Sequence, residues 1–405
     1  MRILHTADWH LGKKLYHIDR ITEQAAVLEE ICTIAETKEV DVVLIAGDLY
    51  DVINPGSEAN ELFYKTLRRL SANGTRPVVA ISGNHDSADR IAAPDPLAKV
   101  SGILLFGHPE THMTPNAMEN DWHISQSAPG FIELSFAQHP PLRIITTPYV
   151  SELRVGKYMG ENEEEMLREY VENRWSQLAT EFCDDAGCNV LMTHLFMWPQ
   201  DQKPPEEPEG EKPIKIGNAS IIYTHLVPEQ MQYVALGHLH RSQKLSGSPV
   251  DIRYSGSPLA YSFSEAGQDK YVHIVDLHPG QSAVVEKVKL NTGMPLLRKS
   301  FDNIADAQNW IENHTNSHLE VSISTSTALS AAEVRALQSA GTGLVQIIPR
   351  AISQKQEAEE IQENQAEKSL QDVFRDYFRT RQGVEPSEEI MNLLNEILSH
   401  NHNDA

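Results

Sequence analysis

Cysteine is scarce: the 405-residue chain has three, Cys32, Cys183 and Cys188, an odd set without zinc-site spacing. That excludes a disulfide scaffold and speaks against a structural zinc site. Cys32 falls on the apolar face of a predicted helix and is expected to be a small buried hydrophobe. The run of about 18 apolar residues that a membrane-spanning helix requires is missing, and no internal repeat points to a solenoid. A cleavable leader is not expected either. Arg2-Ile3-Leu4-His5-Thr6 runs straight into a candidate metal loop, so processing would destroy it, and the expected compartment is the cytosol. Positive charge is in short supply, with 34 Lys and Arg against 57 Asp and Glu and a formal net charge of −23. A long basic track for a phosphate backbone is therefore not expected.

What is present is enough for more than one core. The length suggests two or three domains, and 40% hydrophobic residues suffice for folding without disulfides. The first part reads as α/β. Val42-Val43-Leu44-Ile45-Ala46 and Val78-Val79-Ala80-Ile81 are β-branched runs of strands buried on both faces. Ile21, Ala25, Leu28, Cys32 and Ala35 share one helical face, as do Leu62, Phe63, Leu67 and Leu70. Further strands are predicted at 189–192 and 233–236, and the Pro- and Glu-rich stretch from Asp201 to Lys212 reads as a solvated loop.

A second unit runs from about Pro295 to Pro349 in the order strand, helix, strand, helix, strand. Its second helix opens on Ser330-Ala331-Ala332-Glu333, a capping box, and its last strand is 344–348. Residues Gln354 to Lys368 are polar and charged, and two amphipathic helices close the chain. The division expected is thus 1–290, 291–350 and 351–405.

Five strand-end motifs carry the chemistry: Asp8-Trp9-His10, Gly47-Asp48, Gly83-Asn84-His85-Asp86, His194, and Gly237-His238-Leu239-His240. Each alone is weak, but their joint occurrence after successive strands is hard to produce by chance. Ligands of open α/β sheets bind at the carboxyl ends of strands. Hydrolysis of a phosphodiester brings an anionic nucleophile onto an anionic centre, a task suited to two cations roughly 3.5–4 Å apart. Carboxylate, imidazole and amide oxygen are the ligands such cations take. Side chains two apart on an extended segment point the same way, so Asp8 and His10 can reach one ion.

These motifs match the calcineurin-like metallophosphoesterase superfamily. Within it, the chain resembles the SbcD family, the bacterial counterpart of the archaeal and eukaryotic double-strand-break nuclease. The likeness is carried by Ile3 to Gly12, Ala46 to Asp51, Gly83 to Ser87 and Tyr254-Ser255-Gly256-Ser257-Pro258. It implies a β-sandwich flanked by helices, with a small α+β capping domain and C-terminal helices. It also implies one metal on Asp8, His10, Asp48 and His240 and another on Asp48, Asn84, His194 and His238, with Asp48 bridging. Manganese is the implied metal, with magnesium the other candidate. His85 would act on the transition state, with Asp86 orienting it. Archaeal and eukaryotic relatives usually have histidine where this chain has Asp51, which is expected to act behind the ligands.

The implied activity is DNA cleavage, exonucleolytic on duplexes and endonucleolytic on single strands and hairpins. The implied assembly is a homodimer within a heterotetramer with SbcC, a coiled-coil ATPase. Leu370, Phe374 and Tyr377, with Ile390, Leu394 and Ile397, form two apolar stripes expected to dock on that partner. Lys13, Lys14, Arg20, Arg68, Arg69 and Arg90 are candidates for phosphate contact. Two rival readings remain: a small-nucleotide phosphodiesterase, and a scaffold that has lost its metals. Against monoester specificity, Val52 stands where phosphoprotein phosphatases have a phosphate-gripping arginine. Asp51 stands where purple acid phosphatases need tyrosine.

Overall fold

A computed structural model describes residues 1–115, 121–155, 162–204, 221–325 and 329–351, with isolated positions at 374, 375, 386, 391 and 394. The chain opens with β1 (Arg2–Thr6), α1 (Ile21–Thr37), β2 (Val42–Ala46), α2 (Ser57–Leu70) and β3 (Val78–Ile81). Short helices α3 (Ala88–Ala92) and α4 (Asp95–Val100) then lead to β4 (Ile103–Phe106). These four strands are parallel neighbours. Next come β5 (Trp122–Ala128), β6 (Phe131–Phe136), β7 (Leu142–Thr147), α5 (Glu152–Val155), α6 (Glu163–Phe182) and β8 (Cys188–Thr193). The short β9 (Met197–Trp198) and β10 (Ile222–Tyr223) precede β11 (Tyr233–Leu236), β12 (Gln243–Leu245) and β13 (Asp251–Tyr254). They build a second sheet in the order β12-β13-β11-β8-β7-β6-β5, with β9 and β10 pairing separately. The chain then returns to the first sheet through β14 (Lys270–Asp276) and β15 (Val284–Leu290), completing β15-β14-β1-β2-β3-β4.

The two sheets face each other over a core that includes Ile3, Leu44 and Ile81 from one and Leu134, Ile144 and Val190 from the other. Residues alternate across each strand, so Leu4, Val43 and Ile45 point the opposite way and pack under α1 and α2. Trp175 and Leu178 of α6 cover the outer face of the second sheet. Helices thus flank a sandwich on both sides. The edge strands β15 and β12 carry Lys287, Lys289 and Lys244, the charges that discourage edge-to-edge pairing.

The buried face of α1 comprises Gln24, Val27, Leu28, Ile31, Cys32 and Ala35. Ala25, expected on it, is exposed. Gln24 is tolerated inside because its amide is fully used: Nε2 donates to His10 O at 2.8 Å, and Oε1 accepts from Gly12 N at 2.9 Å.

Beyond β15 lies a three-stranded sheet of β16 (Leu296–Phe301), β17 (His318–Thr325) and β18 (Leu344–Ala351), with α7 (Ile304–Glu312) and α8 (Ala331–Ser339) between them. The capping box at Ser330 and Glu333 is formed. All three strands run parallel, with a helix in each crossover. Leu296 packs with Leu15 and Phe263 of the larger body, with Val345 against them. Glu23 of α1 ties the two together, accepting from His318 Nε2 at 2.8 Å and from Met294 N at 2.9 Å. Phe374 and Leu394 are helical and half-buried. Leu370, Tyr377, Ile390 and Ile397 lie outside the described residues.

The Glu23 tie has a pH signature. Burial raises its carboxyl, but hydrogen bonds from His318, Arg20 and Met294 outweigh that and lower it from 4.5 to about 2. A depressed carboxyl stabilises fully above its ordinary value and loses that share as pH falls through the folded one. The stability gap between wild type and Glu23→Gln, read from urea melts at pH 7, is therefore expected to shrink between pH 4.5 and about 2. A gap that is constant with pH would refute the tie.

Candidate metal centre

The loops leaving β1, β2, β3, β8 and β11 converge above the sandwich, and the seven expected ligand side chains come from them. The first two loops are stitched together: Asp8 N donates to Gly47 O at 3.0 Å, and His10 N to Asp48 O at 2.9 Å. The turns are sharp. Asp8, His10 and Asp48 have φ of 54°, 45° and 48°, and His238 has 106°, conformations that cost about 1–3 kcal/mol each outside glycine. Gly83 and Gly237 are required by close approach. A Cβ on the first would collide with Asp48, and one on the second with Ala46 O and the His194 ring.

The donor atoms cluster. Nε2 of His10 and Nε2 of His240 stand 3.0 Å apart. Asp48 Oδ2 lies 3.4 Å from His10 Nε2 and 3.3 Å from His194 Nε2, between the two groups. Asn84 Oδ1 is 3.0 Å from His194 Nε2 and 3.2 Å from His238 Nδ1. Asp8 Oδ1 accepts from His238 N at 2.8 Å, while its buried Oδ2 has no hydrogen-bond partner. Asp8 with His10 and His240, and Asp8 with Asp48 and His194, each offer atoms within 4.8 Å of one another.

Protonation suits cation binding. His194 Nδ1 faces the carbonyl of Ala46 at 2.8 Å and must donate to it, which leaves Nε2 facing Asn84 and Asp48. Burial lowers His10 to about 4 and His238 to about 3, so both imidazoles keep lone pairs free. Burial also lowers His194, but Asp48 overrides it and raises the ring to about 9, so a cation bound there would displace a proton from Nε2. Lone pairs that face lone pairs, with an orphaned carboxylate oxygen beside them, are a donor set that fits divalent cations.

His85 is beside this cluster, its ring 4.8 Å from that of His10 and nearly perpendicular to it. Its N–H donates to Asp48 Oδ1 at 2.9 Å, and Nδ1 donates to Asp51 O at 2.9 Å. The orienting group is therefore the Asp51 carbonyl and not Asp86, which corrects the expectation from sequence. Asp86 is buried, and its two oxygens accept from Leu49 N, Tyr50 N and Gly83 N at 3.0, 2.9 and 2.7 Å. It braces the β2 and β3 loops against each other. The Asp51 carboxylate pairs with Lys13 at 2.7 Å and lies 3.6 Å from His10 Nδ1.

Three expected phosphate contacts are already in ion pairs, Lys13 with Asp51 among them. Arg20 is buried and paired with Glu23 at 2.7 Å, and Arg69 is paired with Glu29 and Glu36. Lys14 and Arg68 are exposed, and Arg90 donates to Asn54 at 3.0 Å. His5 and His273 are buried and share Tyr233 OH at 2.8 and 3.2 Å. Gln24, Arg154, Tyr261 and Glu265 went unread in sequence, yet all touch the centre. Arg154 donates to Asp86 O at 2.7 Å, Tyr261 donates to Trp9 O, and Glu265 Oε1 lies 3.3 Å from His240 Nδ1. No spacing signal could have found them.

This architecture is that of a two-metal phosphoesterase, and residues 1–242 match the calcineurin-like phosphoesterase family. The chain is 35% identical over 408 residues to the SbcD component of the SbcCD nuclease of Bacillus subtilis, covering 98% of each. It is 34% identical over 303 residues to the protein of the same name from Rhodobacter capsulatus, covering 74% of this chain and 71% of that one. The Staphylococcus epidermidis counterpart is 30% identical over 281 residues, covering 69% of this chain and 67% of that one. The chain belongs to the SbcD family of nucleases.

Proposed function

We propose that the chain cleaves DNA phosphodiesters at ends and hairpins as the nuclease component of a complex with SbcC, in DNA repair and recombination in the cytosol. The observation that carries the reading is Asp48 Oδ2, set between His10 Nε2 and His194 Nε2 at 3.4 and 3.3 Å. One carboxylate so placed serves two ions. The first ion would be held by Asp8, His10, Asp48 and His240, and the second by Asp48, Asn84, His194 and His238. Two divalent cations, manganese or magnesium, would lower the pKa of a water and neutralise charge on the phosphoryl oxygens.

The protein's own part is to place the rest. Asp86 and Arg154 hold the Gly83 to Asp86 loop, and that loop presents His85. With its Nδ1 proton committed to Asp51 O, the opposite ring nitrogen is free to stabilise or protonate the leaving oxygen. Val52, half-exposed at 50%, offers no grip on a terminal phosphate, which favours diesters over monoesters.

The test compares linear duplex, hairpin and single-stranded DNA with a phosphomonoester, in manganese, magnesium and chelator. Metal-dependent DNA cleavage with little monoester turnover is expected. Preference for the monoester or for a small cyclic nucleotide would overturn the reading.

SbcC is proposed to bind the stripes at Leu370, Phe374 and Tyr377 and at Ile390, Leu394 and Ile397. Truncation after Ala351 is expected to leave a folded core that still cuts short single strands, while ATP-stimulated duplex degradation is lost. Undiminished co-purification of the truncated core with SbcC would count against this dock. The proposed homodimer draws support from Leu97 and Val100 on α4, which are 80% and 77% exposed. Leu97→Asp should then read as a monomer by light scattering, and an unchanged mass would exclude that surface.

A further inference from the structure

Behind His240 lies a buried polar group that no motif announces. Glu265 ends a short 3-10 turn, Phe263–Glu265, and is buried. Its Oε1 lies 3.3 Å from His240 Nδ1 and accepts from Tyr261 N at 3.0 Å. Its Oε2 is paired with Lys270. The same ammonium donates to the main-chain oxygen of His240 at 3.1 Å and to Ser257 Oγ at 2.9 Å. Ring and backbone of one residue are thus held by two partners that also hold each other. The turn itself is anchored by Phe263, packed with Leu15 and Leu296. The other ring nitrogen of His240, Nε2, is the one that meets His10 Nε2 at 3.0 Å.

We infer that Glu265 is a positioning residue for His240, fixing the tautomer that offers Nε2 to a metal, with Lys270 locking the pair in place. The inference rests on the two-metal reading above. A carboxylate behind a ligating imidazole takes the Nδ1 proton into a hydrogen bond, sets the ring's orientation and strengthens Nε2 as a donor. Lys270, paired with the other carboxylate oxygen, sits where a positive charge holds that carboxylate against the ring. Lys270 is the structural counterpart. Without it the carboxylate would be a buried uncompensated charge.

Glu265→Gln keeps the shape and the acceptor for Tyr261 N but loses the charge. In equilibrium dialysis with manganese, wild type is expected to bind two ions. The variant should hold one as before and the other about 10–100-fold more weakly. Two undiminished sites in Glu265→Gln would overturn the inference, whereas fewer than two in wild type would instead sink the two-metal reading. The double variant Glu265→Gln/Lys270→Met removes both charges and separates positioning from ion pairing. Its stability should recover toward wild type while the weak site stays weak. Recovery of that site would show that only an unpaired lysine was at fault. If neither variant folds, nitrogen NMR of zinc-loaded wild type decides, with the His240 signals assigned by their loss in His240→Gln. A proton on Nδ1 with Nε2 on the metal is expected, and the opposite tautomer would refute the proposal.

Discussion

Asp48→Asn is expected to abolish turnover more completely than His10→Ala. The carboxylate faces both donor groups, 3.4 Å from His10 Nε2 and 3.3 Å from His194 Nε2, so weakening it weakens two ion sites at once. His10 is proposed to contribute to one. The substitution is nearly isosteric, and the Oδ1 that accepts from His85 N can be kept as the amide oxygen. Loss of activity would then reflect charge and not collapse of the loop. The check is DNA cleavage alongside metal content by elemental analysis. Full cleavage by Asp48→Asn with almost no metal would end the two-metal mechanism.

His85→Gln should separate binding from chemistry. The imidazole is near the cluster but spends Nδ1 on Asp51 O, an acceptor that a glutamine amide can also satisfy. The loop should therefore stand, both metals should stay and DNA affinity should hold. Turnover should fall about 10²–10⁴-fold, the usual range for a general acid or base. A variant that loses one metal would show that His85 is a ligand.

Much of the candidate site was legible because its proposed ligands follow strands. A β-branched run ending in Asp, His or Asn places its donor within one to four residues of a strand terminus, and parallel strands bring those termini together. The small unit was legible for a similar reason, since its helices and strands alternate and Ser330 marks a helix start.

Contacts set by tertiary packing were not legible. Adjacency suggested that Asp86 orients His85, but the donors it serves sit on the β2 loop, at Leu49 and Tyr50. Glu265 meets His240 only because a turn 25 residues later folds back. Gln24 was hidden on an otherwise apolar helix face. Arg20 and Arg69 looked available because sequence counts charges without showing their partners.

The left-handed backbone at Asp8, His10 and Asp48 bears on which metals the centre can take. Asp, Asn and His are the residues outside glycine that enter this conformation most readily. They are also ligands of hard and borderline cations. A position obliged to turn this way draws on one short alphabet for shape and for coordination alike. Cysteine, which would shift affinity toward softer metals, lacks that ease of turning. The bend of the chain after β1 and β2 thus narrows metal choice before any ion arrives.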